Sequence, residues 1–246
     1  MIDWLTARPV AHRGLHDAAN GIIENTASAF RAAIEAGFAI ETDLQITADG
    51  EAVVHHDFAL GRLTLGSRQL AAMTAVGLKE VPFKSTADRI MTLAEFLALV
   101  AGRTPLLIEL KSRFDGDLRL VKRAAEVLAG YRGPAALMSF DPIPVAHLRD
   151  TAPGLTRGIV AERRYADAEW RSLDAAQKRS LAFLLHGFRT RPDFVAYHVT
   201  DLPALGPWFA RHIFRIPLLT WTVRTAEQRS RAERHADQMI FEGFRP

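Results

Sequence analysis

Residues 39–57 read AIETDLQITADGEAVVHHD, and this stretch decides the fold class. Two runs of strand-forming residues flank an Asp-Gly turn at Asp49 and Gly50, which is a strong hairpin signal. A turn this short makes the two runs antiparallel, because parallel neighbours need a connection of roughly a dozen residues or more. Residues 53–56 are therefore predicted to form the return arm of a hairpin rather than a strand of the main parallel sheet.

Outside this hairpin, short apolar runs alternate with longer amphipathic ones along the whole chain. Such alternation is typical of repeated β/α units. Without the return arm, the predicted strands begin near residues 9, 39, 106, 135, 157, 193, 217 and 238. Eight strands separated by helices favour an α/β fold of the closed (β/α)8 barrel type, also called a TIM barrel. An open doubly wound sheet is the alternative that the periodicity alone still allows.

The length of 246 residues is usual for one barrel of this type. No linker, low-complexity block or repeat indicates a second domain. We therefore expect a single domain over residues 1–246, with a small insertion after the hairpin at about residues 59–90, where the apolar pattern is weak.

The sequence holds no cysteine, which excludes disulfide scaffolds, thiolate metal sites and cysteine nucleophiles. A net charge of +3 is small for a nucleic-acid-binding protein of this size. The first ten residues lack the apolar run of a signal peptide, and no stretch approaches the roughly 18 apolar residues of a spanning helix. The composition therefore predicts a cytoplasmic protein with no nucleic-acid partner and no stable membrane anchor.

Charged residues interrupt two predicted strands that should otherwise be apolar. Glu41 and Asp43 share one face of the second strand, and Glu109 and Lys111 share one face of the strand near residue 106. Both pairs lie near the C-terminal end of their strand, where barrel active sites are built. Three acids there require cationic charge, which Lys111 and a divalent ion would supply; oxygen ligands favour Mg²⁺ or Ca²⁺. The alternative is that the acids face solvent or pair with arginines.

Two histidines are expected near the same place. His12 ends the first predicted strand, and the hairpin directs His56 back toward the strand that carries the acids. Two imidazoles beside a metal-bound anion suit acid–base catalysis, because their unperturbed pKa of about 6.5 lets one accept a proton while the other donates. In a rival interpretation one or both histidines bind the metal, which would shift the preference toward Mn²⁺ or Zn²⁺. His55 is expected to point to the opposite side.

Three further residues have two interpretations each. Arg13 and Lys111 can grip a phosphate group or simply neutralise the acids. Trp221, near the C-terminal end of a predicted strand, can wall a pocket or belong to the core.

Short motifs run in one order along most of the chain. The motifs are His12-Arg13-Gly14, Glu24-Asn25-Thr26, Glu41-Thr42-Asp43, Thr47-Ala48-Asp49-Gly50, His56-Asp57, Thr92-Leu93-Ala94-Glu95, Ile108-Glu109-Leu110-Lys111, Ser139-Phe140-Asp141 and Trp221-Thr222-Val223. Each is weak alone, but together they resemble the glycerophosphodiester phosphodiesterase family.

This resemblance implies a barrel with a small insertion. The implied reaction is the hydrolysis of glycerophosphodiesters, which are small molecules, to glycerol 3-phosphate and an alcohol. The implied cofactor is a divalent cation, Mg²⁺ or Ca²⁺. It also implies a role for each candidate residue. The implied roles are general acid and base for His12 and His56, metal ligation for Glu41, Asp43 and Glu109, phosphate contact for Arg13 and Lys111, and the glycerol side of the pocket for Trp221 and Phe140.

The chain departs from the family pattern near its C-terminal end. Arg224 stands where the family usually has Asn, and residues 237–244 lack the usual glycine-rich ending in Thr-Asp, although Glu242 offers an acid there. Two alternative functions therefore stay open: a lipid phosphodiesterase resembling lysophospholipase D or sphingomyelinase D, and a non-catalytic barrel that binds a phosphorylated metabolite. The sequence leaves the oligomeric state open.

Overall fold

The computed structural model describes residues 2–246 of the chain. Its strands are β1 (Val10–Ala11), β2 (Ala39–Ile46), β3 (Ala52–Val54), β4 (Leu106–Leu110), β5 (Ala135–Ser139), β6 (Thr156–Ala161), β7 (Phe194–His198), β8 (Leu218–Val223) and β9 (Gln238–Phe241). Its helices are α1 (Ala27–Glu35), α2 (Ala75–Lys79), α3 (Leu93–Val100), α4 (Arg119–Leu128), α5 (Pro142–Thr151), α6 (Ala175–Ala182), α7 (Gly187–Thr190), α8 (Leu205–His212) and α9 (Ala226–His235).

The strands of residues 2–246 form one sheet in the order β1-β9-β8-β7-β6-β5-β4-β2-β3, and β1 also pairs with β2. This order returns to its start and leaves only β3 outside, which confirms the predicted (β/α)8 barrel. β3 is antiparallel to β2, with Leu44 opposite Val54, as the Asp-Gly turn predicts. β2 pairs in parallel with β4, and this register places Asp43 opposite Glu109.

One predicted helix is interrupted. The charged stretch of residues 169–185 predicts a helix, but the structure has a single 3₁₀ turn at Ala168–Trp170 and then α6. The cause is a capping box: Asp174 Oδ1 accepts from the Gln177 backbone N–H at 2.8 Å, and Gln177 Oε1 accepts from the Asp174 backbone N–H at 2.8 Å. Because this pair satisfies the free N–H groups of a helix start, it begins a new helix at residue 175.

The chain divides into two compact units. Unit 2 comprises Val10–Lys111 and Leu118–Ala135; unit 1 comprises Ser112–Asp117, Ala136–Pro246 and the N-terminal segment up to Pro9. The segment of residues 59–90 belongs to unit 2, where Leu60, Leu70 and Leu78 pack with Val53 of β3. No helix within residues 2–246 is both long and apolar enough to cross a bilayer.

Candidate active site

The acids of β2 and β4 come together in unit 2. Glu41, Asp43 and Glu109 are all buried. One carboxylate oxygen from each lies within 4.8 Å of the others, a spacing that can hold a metal ion. The side-chain period of two puts Glu41 and Asp43 on one face of β2, and the parallel pairing places Glu109 beside Asp43. The sequence alternative in which these acids face solvent is therefore wrong.

Two basic side chains lie against these acids. Lys111 Nζ is 2.9 Å from Asp43 Oδ1 and 2.7 Å from Glu109 Oε1. The Arg13 guanidinium forms an ion pair with Asp43, in which Nε lies 3.3 Å from Oδ2, and Arg13 Nη1 donates to Glu24 Oε1 at 2.8 Å. Both basic groups neutralise acids in this structure, and their grip on a phosphate stays a proposal.

The backbone around residue 13 is shaped for this contact. Arg13 has φ of +56° and Gly14 has φ of +80°, both in the left-handed region. A Cβ atom at residue 14 would lie 2.9 Å from the Ala29 carbonyl carbon on α1, so only glycine fits there. This turn directs the Arg13 backbone N–H to Glu41 Oε2 at 2.9 Å.

Burial raises the pKa of Asp43, but the charges of Lys111 and Arg13 outweigh it and hold that pKa well below its ordinary value. Glu41 behaves in the opposite way. Burial and repulsion by Asp43 and Glu109 raise the pKa of Glu41 well above its ordinary value, because the Arg13 charge offsets only part of them. Ionisation of all three acids at once would therefore place more negative charge here than Lys111 and Arg13 neutralise, which fits a site that receives a cation.

The two histidines occupy the predicted ends of their segments in unit 2. His12 follows β1, and its Nε2 lies 3.9 Å from Glu41 Oε2. His56 follows β3, and Gln45 of β2 fixes that arm by donating from Nε2 to the His56 carbonyl oxygen at 2.8 Å. When protonated, both imidazoles add to the effect of Lys111 and Arg13 in lowering the pKa of Asp43. His55 is buried, and burial lowers its pKa to about 4.

His56 is held by a chain of charged side chains. His56 Nδ1 lies 2.8 Å from Asp57 Oδ1, Arg62 Nε donates to Asp57 Oδ2 at 2.7 Å, and Arg62 Nη2 donates to Glu24 Oε1 at 2.7 Å. Burial raises the pKa of Asp57, but hydrogen bonds from His56 and Arg62 outweigh it and lower that pKa. An ionised carboxylate only accepts, so His56 carries a proton on Nδ1. Its Nε2 is then the atom available for proton transfer.

Sequence reasoning assigned no role to Glu24, Asn25, Asp57 or Arg62. Asn25 is buried, donates from Nδ2 to Asp43 Oδ2 at 2.9 Å, and accepts at Oδ1 from Thr42 Oγ1 at 2.7 Å. Asn25 thereby fixes the orientation of the Asp43 carboxylate. The sequence signal for Glu24, Asn25 and Asp57 was their place inside the motifs Glu24-Asn25-Thr26 and His56-Asp57. Arg62 follows the second motif by five residues.

The aromatic candidates lie in unit 1. The Phe140 and Trp221 rings meet edge to face with centroids 5.3 Å apart, and Trp221 Nε1 donates to the Ala196 carbonyl oxygen at 3.1 Å. Both side chains are half-buried. The two departures from the family pattern also meet here, since Arg224 Nη2 donates to Glu242 Oε2 at 2.8 Å.

The comparisons with known proteins agree with this geometry. A model of the glycerophosphoryl diester phosphodiesterase family matches residues 12–241. The chain belongs to this family. A glycerophosphodiester phosphodiesterase of Caldanaerobacter subterraneus subsp. tengcongensis is 32% identical over 163 residues, which cover 61% of this chain and 65% of that relative.

Solved structures of two phosphodiesterases share the fold. A phosphodiesterase of Oleispira antarctica, in complex with sn-glycerol-3-phosphate, superposes with a TM-score of 0.76 at 19% sequence identity. The superposition covers 97% of this chain and 94% of the Oleispira antarctica chain. A glycerophosphodiester phosphodiesterase of Thermotoga maritima has a TM-score of 0.72 at 24% identity, with coverage of 95% and 94%.

Proposed function

We propose that this protein is a metal-dependent phosphodiesterase that hydrolyses glycerophosphodiesters to glycerol 3-phosphate and an alcohol. The observation that carries the proposal is the buried group of three acids, Glu41, Asp43 and Glu109, beside His12 and the His56–Asp57 pair. A site that only binds phosphate needs no acid–base pair and no buried excess of carboxylates. The complex of the similar Oleispira antarctica enzyme with sn-glycerol-3-phosphate supports the same product here.

Glu41, Asp43 and Glu109 would hold the divalent cation. Their oxygen ligands suit Mg²⁺ or Ca²⁺, and such an ion, when bound, supplies positive charge that stabilises the charge developing on the phosphate oxygens. Asn25 keeps the Asp43 carboxylate oriented for this role through its 2.9 Å hydrogen bond.

Arg13 and Lys111 would contact the substrate phosphate. Both are partly buried beside the acids and stay charged. Burial lowers the pKa of each, but the charges of Asp43 and Glu109 raise the pKa of Lys111, and those of Asp43 and Glu24 raise the pKa of Arg13, by more. A phosphodiester is an anion that repels a nucleophile, so positive charge at its oxygens lowers the barrier.

His12 and His56 would act as the acid–base pair. One imidazole removes a proton from the attacking water or the neighbouring substrate hydroxyl, and the other protonates the departing alkoxide. Asp57 fixes the His56 ring through Nδ1, so His56 acts through Nε2. From the family resemblance we further propose that Trp221 and Phe140 line the glycerol side.

Incubation of the purified protein with glycerophosphocholine tests this function. We expect release of glycerol 3-phosphate with Mg²⁺ or Ca²⁺, its loss in EDTA, and its loss in His12→Ala. The exposed substitution Glu126→Gln serves as the matched control and should leave activity unchanged. Turnover that survives His12→Ala, or no product with any divalent metal, would contradict the proposal.

A further inference from the structure

Helix α8 of unit 1 carries an apolar stripe on its solvent-exposed face. Leu205, Trp208 and Phe209 are spaced as i, i+3 and i+4, and all three are exposed, Leu205 by 65%. The buried face of the same helix holds the smaller Pro207 and Ala210. A surface helix normally turns its apolar stripe toward the core, so this stripe is directed at something outside the unit.

The apolar surface continues onto the neighbouring segment that ends α6 and forms α7. Phe183, Leu185 and Phe188 are exposed there, Phe188 by 86%. The two segments touch: a Cβ atom at Gly206 of α8 would lie 3.1 Å from the Phe183 carbonyl group, and a groove of about 590 Å³ is lined from both sides. We call this surface the apolar patch; its members are Phe183, Leu185, Phe188, Leu205, Trp208, Phe209, Ile213 and Phe214.

The two segments that carry the apolar patch contain cationic side chains and no acidic ones. Residues 178–191 and 204–216 contain no Asp or Glu. Their six Lys and Arg residues are Lys178, Arg179, Arg189, Arg191, Arg211 and Arg215. Within the part of the chain that the structure describes, Arg211 alone among these six forms an ion pair, with Asp237 at 2.8 Å.

We propose that the apolar patch docks reversibly on a lipid bilayer that contains anionic phospholipids. Trp and Phe favour the boundary between headgroups and acyl chains, and each arginine near an anionic surface adds attraction. A second copy of the chain is the less favourable occupant, because a two-fold contact would bring two cationic rims together. Docking of this kind is peripheral, so it agrees with the prediction that the chain has no stable membrane anchor.

Co-sedimentation with vesicles tests the proposal. We expect the wild-type protein to bind vesicles of phosphatidylglycerol and phosphatidylcholine in equal parts, to bind pure phosphatidylcholine about tenfold more weakly, and to lose affinity as salt rises. Trp208→Ser/Phe209→Ser should weaken binding by about tenfold or more. The matched control Leu65→Ser/Val76→Ser removes two exposed apolar side chains from unit 2 and should bind as the wild type does.

A second variant removes charge and leaves the apolar residues in place. Arg191→Gln/Arg215→Gln changes two exposed side chains, so its fold should persist, and its affinity should fall severalfold with a weaker salt dependence. His12→Ala should bind vesicles normally, which separates docking from catalysis. Light scattering in the absence of lipid completes the test.

Two results would overturn the proposal. One is that the wild-type protein binds neither kind of vesicle, or that it binds both equally well and the Trp208→Ser/Phe209→Ser variant binds them with the same affinity. The other is a wild-type dimer that this variant converts to monomer without any loss of vesicle binding; the apolar patch would then join two copies of the chain.

Discussion

Strand β2 and helix α8 break the rule that apolar groups are buried and charges exposed, in opposite directions. β2 buries Glu41 and Asp43, whereas α8 exposes Leu205, Trp208 and Phe209. Burial of charge costs folding free energy because the charge loses hydration, and apolar side chains that stay exposed contribute none of the stabilisation that burial would give. The two regions differ in what lies against the unusual side chains. Lys111 and Arg13 partly neutralise the acids of β2, whereas the apolar side chains of α8 face outward from unit 1. β2 therefore points to a small cation, and α8 points to a large external surface.

The largest effect is expected at Glu41. Glu41→Gln removes one ligand charge while its side-chain oxygen can still accept from the Arg13 backbone N–H, so kcat/KM should fall on the order of 10³-fold. In EDTA the variant should unfold at the same temperature as the wild type or higher, because the repulsion by Asp43 and Glu109 is gone. Activity assays and thermal unfolding of the same samples give both numbers.

If Glu41→Gln instead unfolds in EDTA at a much lower temperature than the wild type, the Glu41 carboxyl group stabilises the fold without a bound metal ion. Glu126→Gln, an exposed acid on α4, is the matched control and should change neither measurement.

Lys111 should dominate the stability of the site. Lys111→Met keeps the length of the side chain but leaves Asp43 and Glu109 without their shared cation, so the free energy of unfolding should fall by about 3–5 kcal/mol. Urea unfolding in EDTA measures the loss. Saturating Mg²⁺ should restore more stability to this variant than to the wild type, and equal effects of the metal on both proteins would separate Lys111 from the cation site.

The sequence predicts the elements of both regions, but not all of the side-chain contacts within them. The apolar run of residues 106–110 and the helical spacing of residues 226–235 predict β4 and α9, and the two-residue period alone puts Glu41 and Asp43 on one face of β2. The Arg62–Glu24 contact joins residues 38 positions apart through side-chain conformations that no local pattern encodes. The pattern of residues 205–214 predicts a helix, but the outward direction of the apolar stripe on α8 depends on which neighbours pack against it.

Removal of the α8 stripe should have little effect on stability. Trp208→Ser/Phe209→Ser removes large side chains that are about half exposed and pack mainly on one another and on His212, so the free energy of unfolding should change by less than about 1 kcal/mol. Urea unfolding beside the Lys111→Met protein gives a direct comparison of the two regions. A loss as large as that of Lys111→Met would place α8 in the core of unit 1.

Glu162 of unit 1 is a partly buried acid with other acids near it, and its substitution should give the smallest effect. Burial and the negative charges of Asp167, Asp201 and Glu169 raise the pKa of Glu162 to about 7. The folded protein therefore holds this proton more tightly than the unfolded chain does. The stability that Glu162 contributes is fully present below its unfolded pKa and is lost as the pH rises to about 7.

The variant Glu162→Gln should lack this loss. The difference in unfolding temperature between Glu162→Gln and the wild type should grow in favour of the variant from pH 5 to pH 8, because only the wild type must ionise a partly buried carboxyl group. A difference that stays constant with pH would show that Glu162 is solvated like an ordinary surface acid. In that case Glu162 would not be comparable with Asp43 of β2, which is buried and whose pKa the charges of Lys111 and Arg13 hold low against the effect of burial.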